Sequence, residues 1–194
     1  MVHISDRPTK PDQHFIHSGM TWDEFKVLQS LFEALGVRVS YFQGEVELLT
    51  LSDLHGIISG NLGFLLELYM TEQDLDFFGT EDYSIEAFGT ASAQADKSYC
   101  FGERRSVPDL AVEIVIKRER ETKLNRYAAL GVLEVWFWIN GQIKAYRLDG
   151  KEYVPIQQSG WVPELDLQRL ARCAAIERRL EAIRAWNRGD DGMG

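Results

Sequence analysis

Cysteine is almost absent from this chain: among 194 residues only Cys100 and Cys173 carry thiols. They stand far apart in no metal-ligand spacing, so neither a disulfide framework nor a cysteine zinc site is expected. They read instead as small buried side chains in a protein of a reducing, cytoplasmic setting. Long apolar runs are missing too. No stretch approaches the ~20 residues that a membrane span requires, and no secretory apolar segment follows Met1, which predicts a soluble protein with no membrane partner. Positive charge is in deficit, with 21 Lys and Arg against 30 Asp and Glu and a net charge of −9. Nonspecific affinity for nucleic acid comes from Lys and Arg displacing counterions, so this balance works against polyanion binding. Any nucleic-acid partner must be met by a local basic patch, a metal or another protein. Internal repeats and low-complexity tracts are absent as well.

What is present is ordinary globular material. A hydrophobic share of 45% and a charged share of 26% argue against wholesale disorder. One domain of this length buries a core without staples. Residues 1–20 show no periodicity and read as a flexible arm. Thr21, with Glu24 three residues on, forms a capping box. It opens a helix with Phe25, Leu28, Leu31, Phe32 and Leu35 at helical spacing, which Gly36 ends. Segments 37–43 and 45–50 then alternate as a hairpin turning near Gly44, with Val46 and Leu48 on one face and Glu45 and Glu47 on the other. Ser52 caps a second helix that is apolar around much of its circumference from Leu54 to Leu68, as befits a helix packed deep against a sheet. His55, in its first turn, reads as a surface or packing residue.

Several short strand-like runs follow between Leu75 and Phe101. A central apolar strand then runs from Pro108 to Ile116, carrying Glu113 in its middle. Charged residues 117–121 form a solvated connection to a helix from Lys123 to Leu130, stopped by Gly131. Residues 132–139 are almost continuously apolar, as in a strand covered on both faces, with Trp136 and Trp138 in the core. Asn140-Gly141 and Asp149-Gly150 are hairpin signals that make a three-stranded meander. Pro163 opens a last helix reaching about Trp186, whose arginine-bearing side reads as a solvated charged face. The organisation expected is an arm over 1–20, a domain over 21–160, a C-terminal helix over 161–187 packing on it, and a frayed tail over 188–194.

The chemistry concentrates between residues 96 and 127. Asp109 and Glu113 cannot share one metal, because four residues of strand span roughly 13 Å at about 3.3 Å each. Carboxylates on one Mg²⁺ bring their oxygens to about 2.0–2.1 Å, so the partner of Glu113 must come from a neighbouring strand. Asp96, before the alternating run 97–101, is that candidate, on a strand antiparallel to the one holding Glu113. Asp109 instead fixes the strand entrance. A carboxylate pair holding a metal, with a nearby lysine to position water or stabilise charge on phosphorus, is the equipment of phosphodiester hydrolysis. Further acids hold a second ion or relay protons, and Glu47, with Glu45, could fill that place. A structural Glu113–Lys123 ion pair is the bland alternative.

In order and spacing, these motifs resemble the Uma-type family of restriction endonucleases, within the PD-(D/E)XK nuclease superfamily. The resemblance covers about residues 21–156. It rests on Gly44-Glu45-Val46-Glu47-Leu48-Leu49 followed by His55, on Ala95-Asp96-Lys97-Ser98-Tyr99, and on Pro108-Asp109-Leu110-Ala111-Val112-Glu113-Ile114. Lys123-Leu124 through Tyr127, Gly131-Val132 and Glu134-Val135-Trp136 complete it. The resemblance implies Asp96 and Glu113 as metal ligands for Mg²⁺ or Mn²⁺, Lys123 as the catalytic lysine and Glu47 as the further acid. Ala95 stands where such proteins usually have proline. Val115 stands where the wider superfamily has its lysine, so that role passes to Lys123 on the following helix, supported by Tyr127 one turn along; Lys117 is the rival. The fold expected is an α/β domain with a restriction-endonuclease-like core, a mixed twisted sheet flanked by helices. The function expected is metal-dependent endonuclease cleavage, of DNA in preference, by a homodimer. The rivals are a nuclease-fold binding or regulatory protein that does not cut, and a subunit of a larger assembly docking through the C-terminal helix.

Overall fold

The computed structural model describes residues 11–80, 84–116 and 121–188. Its first helix, α1 (Trp22–Glu33), starts with the expected capping box: Thr21 accepts from the Glu24 backbone N–H, and Glu24 reaches back to the Thr21 N–H. Gly36 follows at φ +71°, a conformation costly for any residue with a Cβ. Strands β2 (Arg38–Phe42) and β3 (Glu45–Thr50) then form the expected hairpin about Gln43-Gly44, both at positive φ.

The first departure from expectation is β1 (Gln13–Ser18), which lies inside the stretch read as an arm. It pairs antiparallel with β3 along six residues, from Gln13 opposite Thr50 to Ser18 opposite Glu45. Its polar, mostly exposed sequence has no buried periodicity to read. The strand is held by backbone pairing to the outer edge of β3, whose hydrogen-bonding groups need partners.

Two sheets result where one was expected. The first has the order β1-β3-β2-β6-β5, with β5 (Ile85–Ala87) and β6 (Ala91–Ala93), and is antiparallel throughout. The second has the order β11-β10-β9-β8-β7-β4. It comprises β4 (Phe77–Gly79), β7 (Lys97–Phe101), β8 (Leu110–Val115), β9 (Glu134–Ile139), β10 (Gln142–Asp149) and β11 (Glu152–Ile156). Only the β8–β9 pair is parallel, because helix α3 (Glu121–Leu130) carries the chain back across the sheet between them. Asn140 and Gly141 both take positive φ in the β9–β10 turn, as the dipeptide predicted.

Strand β8 is buried along all six residues, and its alternation divides the molecule. Leu110, Val112 and Ile114 face helix α2 (Asp53–Glu72) and the C-terminal helices. Ala111 and Val115 face Tyr127 and Leu130 of α3, in a cluster that also takes Ala91 and Ala93 of the first sheet. Glu113 shares that second face. Helix α2 runs to Glu72, beyond the expected Leu68, and none of the described helices is long and apolar enough to cross a membrane.

The single C-terminal helix expected from Pro163 is two, α4 (Leu167–Ala174), capped by Asp166, and α5 (Arg179–Asn187). The break has a visible cause. Asn61, buried on α2, donates to the Ile176 carbonyl at 2.7 Å and accepts from Arg179 Nε at 3.2 Å. This ties down the bend, and α5 folds back so that Trp186 reaches the core. Removing the buried Asn61 amide takes away the partner of the half-buried Ile176 carbonyl and of the Arg179 guanidinium, so Asn61→Ala is expected to cost about 1–3 kcal/mol, read from urea denaturation midpoints.

Candidate active site

Lys97 pairs with Val112 across β7 and β8, so Asp96, one residue before, and Glu113, one residue after, come to the same end of that ladder. The Asp96 side chain is fully buried and both its oxygens are met by donors. Oδ2 accepts from the Ile114 backbone N–H at 2.6 Å, while Oδ1 accepts from His55 Nε2 at 2.8 Å and from Arg38. Burial alone would raise the Asp96 pKa. The hydrogen bond from His55 and the charges of Arg38 and His55 outweigh it and hold the carboxyl well below its usual range.

Glu113 meets α3. Lys123 Nζ donates to Oε2 at 2.7 Å and the Tyr127 hydroxyl donates to Oε1. Residues four apart on a helix lie one above the other, which is why both reach one carboxylate. Burial works to lower the Lys123 pKa, but the charges of Glu113 and Glu47 reverse this and raise it. Burial and then the Glu113 charge push the Tyr127 phenol far up, so it remains a donor.

Glu47 comes in from β3. Its Oε1 accepts from His14 Nε2 and its Oε2 from Arg126 Nη2 at 2.7 Å. Burial would raise its pKa; the His14 hydrogen bond and the charges of Arg126 and Lys123 overcome that and depress it well below the carboxylate range. The Nε of Arg126 is buried with no hydrogen-bond partner among the described residues.

His55 is buried, as a packing residue would be, yet its ring is fully engaged between two acids. Nδ1 meets Asp12 at 2.9 Å and Nε2 meets Asp96. Burial disfavours the imidazolium, but Asp96 and then Asp12 outweigh it and raise the pKa.

The structure therefore buries all four of Asp96, Glu113, Lys123 and Glu47, with Asp96 and Glu113 at one end of the β7–β8 ladder, Lys123 bonded to Glu113, and Glu47 held through Arg126 of the same helix. Asp109 stands apart, accepting from the Phe101 N–H and Arg105 at the strand entrance. The rival Lys117 lies outside the described residues. Sequence reasoning missed Arg126, although it lies three residues from Lys123 on the same helix face and so was within reach of the spacing rule. It also missed Asp12, His14 and Arg38, which no local pattern marks.

Among the described residues no three His, Cys, Asp or Glu side chains are grouped to hold an ion. The donor set at Asp96 and Glu113 nevertheless fits one kind of metal. Both supply hard carboxylate oxygens, and Mg²⁺ is commonly held by one or two carboxylates while keeping several waters.

Comparison with known proteins now decides the family. The sequence profile of Uma2, described as "Putative restriction endonuclease", matches residues 22–177. The chain belongs to the Uma2 family. That bears out the resemblance read from its motifs. A crystal structure described as a "putative nuclease belonging to DUF820", from Anabaena variabilis, superposes with a TM-score of 0.56 at 16% identity, covering 81% of this chain and 99% of that one. The likeness bears out the expected fold class. No curated protein matches.

In this Uma2 member the depressed pKa of Glu47 makes a pH signature. A carboxyl depressed on folding contributes stability that is complete above its unfolded value of about 4.3 and is lost as pH falls toward the folded value. The stability deficit of Glu47→Gln relative to wild type is expected to be full at pH 6 and to shrink steadily below about pH 4, measured by denaturant midpoints in metal-free buffer.

Proposed function

We propose that this Uma2-family chain is a divalent-metal-dependent endonuclease that hydrolyses phosphodiester bonds, with DNA as the preferred substrate. The observation that carries the reading is the arrival of Asp96 and Glu113 at one end of the β7–β8 ladder with Lys123 bonded to Glu113. Restriction-endonuclease-like families generally use divalent metals; in this chain Asp96 and Glu113 would hold Mg²⁺ or Mn²⁺. When bound, such an ion polarises the phosphate and lowers the pKa of a bound water.

The remaining work falls to the chain itself. Lys123, kept charged between Glu113 and Glu47, positions the attacking water and stabilises negative charge developing on phosphorus. Tyr127 fixes the Glu113 carboxylate from its other oxygen. Glu47 orients Lys123 and Arg126 by their charges and is itself locked by His14. Arg38, Lys123 and Arg126 are each paired with an acid of this site in a chain of net charge −9, so the attraction a polyanionic substrate needs falls to a bound metal or to a partner protein. Cutting both strands of a duplex is simplest with two copies about a twofold axis, so a homodimer belongs to this reading.

A second reading, a nuclease-fold protein that binds without cutting, is favoured by one observation. Every oxygen of Asp96 and Glu113 already has a protein donor. Nicking of supercoiled plasmid in Mg²⁺ or Mn²⁺ separates the two. The wild-type chain is expected to nick and Lys123→Ala to lose at least about 100-fold, in line with loss of one preorganised electrostatic group. Equal residual nicking by both proteins removes the enzyme reading and leaves the binding one.

A further inference from the structure

Two residues stand directly behind Asp96: Asp12, which no local pattern marks, and His55, in the first turn of α2. Asp12, just before β1, accepts from the Ser52 backbone N–H with Oδ1 at 2.7 Å and meets His55 Nδ1 with Oδ2 at 2.9 Å. His55 Nε2 then meets Asp96 Oδ1 at 2.8 Å. The Ser52 hydroxyl accepts from the His55 N–H at 3.2 Å, so the backbone of His55 is held at the start of α2 while its ring is held at both nitrogens. An ionised carboxylate only accepts, so a ring facing one on each side donates from both nitrogens and cannot turn. Asp96 is locked in consequence: Oδ2 sits on the Ile114 N–H and Oδ1 on an immobilised imidazole.

We infer that Asp12 and His55 are positioning residues that hold the Asp96 carboxylate in its metal-binding orientation, so that β1 is a working part of the active site. The inference rests on the proposal that Asp96 is a metal ligand. Carboxylates that bind metals depend on the outer hydrogen bonds that orient them, and losing such a partner typically weakens metal affinity 10–100-fold. Of the two side chains on Oδ1, Arg38 is the one with room to leave. Its side chain is 21% exposed and lines a cleft of about 590 Å³ together with Gln29 and Gln94, whereas the His55 side chain is 1% exposed and bonded on both sides. Arg38 therefore yields to an incoming ion while His55 keeps its grip. The Uma2 match begins at residue 22, so Asp12 is a contribution of this chain from outside the matched segment.

Isothermal titration of the full chain with Mn²⁺, and with Mg²⁺ in parallel, tests this without reading activity. Asp12→Ala is expected to weaken ion binding about 10–100-fold relative to wild type. Asp12→Asn, which keeps an acceptor for Ser52 but loses the charge facing His55, is also expected to bind more weakly than wild type, and it supplies the measurement if the alanine variant does not fold. Asn61→Ala lowers stability through the α4–α5 bend, where Asn61 bonds Ile176 and Arg179 and not Asp96, and is expected to keep wild-type ion affinity, which separates positioning from general loosening. Wild-type affinity in the folded Asp12 variants overturns the positioning role and leaves the metal site standing. A weakening in Asn61→Ala equal to theirs overturns it also. A wild-type chain that takes up neither ion overturns the metal site and this inference together.

Discussion

Glu113 lies in a strand with no exposed residue, and an ionised carboxylate taken out of water there costs several kcal/mol unless its oxygens are met. Much of the architecture can be understood as the means of meeting them. Lys123 and Tyr127 reach it only if the first turns of α3 lie over the second face of β8, at the end where Glu113 sits. The crossover from β8 through α3 to the parallel β9 provides that placement, while β9 pairs with β8 along its other edge. The small residues Ala91 and Ala93 of β6, in the same cluster, let the helix approach the first sheet as well.

The same requirement recurs at Asp96 and Glu47, so the site is built as alternating charges. Asp12, Glu47, Asp96 and Glu113 stand against Arg38, Lys123, Arg126 and the imidazole of His55. Most of the desolvation of these acids is already met by folding.

Several elements were legible because their signals are local. The capping box at Thr21 and Glu24, the dipeptide Asn140-Gly141, and the alternation of β8 each depend on residues within a turn or a strand of one another. The juxtaposition of Asp96 with Glu113 was legible on strand spacing alone, because the rise of a strand forbids Asp109 as partner and points to a neighbouring strand. Lys123 was implied by the family resemblance, and Tyr127 followed from it by helical spacing. The break at 175–178 was not legible, because apolar periodicity continues through it and the cause, Asn61, is more than a hundred residues away.

By itself, then, the order of residues determined most of the secondary elements, the family, and which acids and which lysine could meet. Only the tertiary structure decided that Arg38, Arg126 and His14 balance those acids, that β1 is a strand, and that His55 is a link between Asp12 and Asp96. The reason is physical. Periodicity records which face of an element is apolar, whereas a buried charge takes its partner from any element that packs against it, and sequence distance sets no limit on that choice.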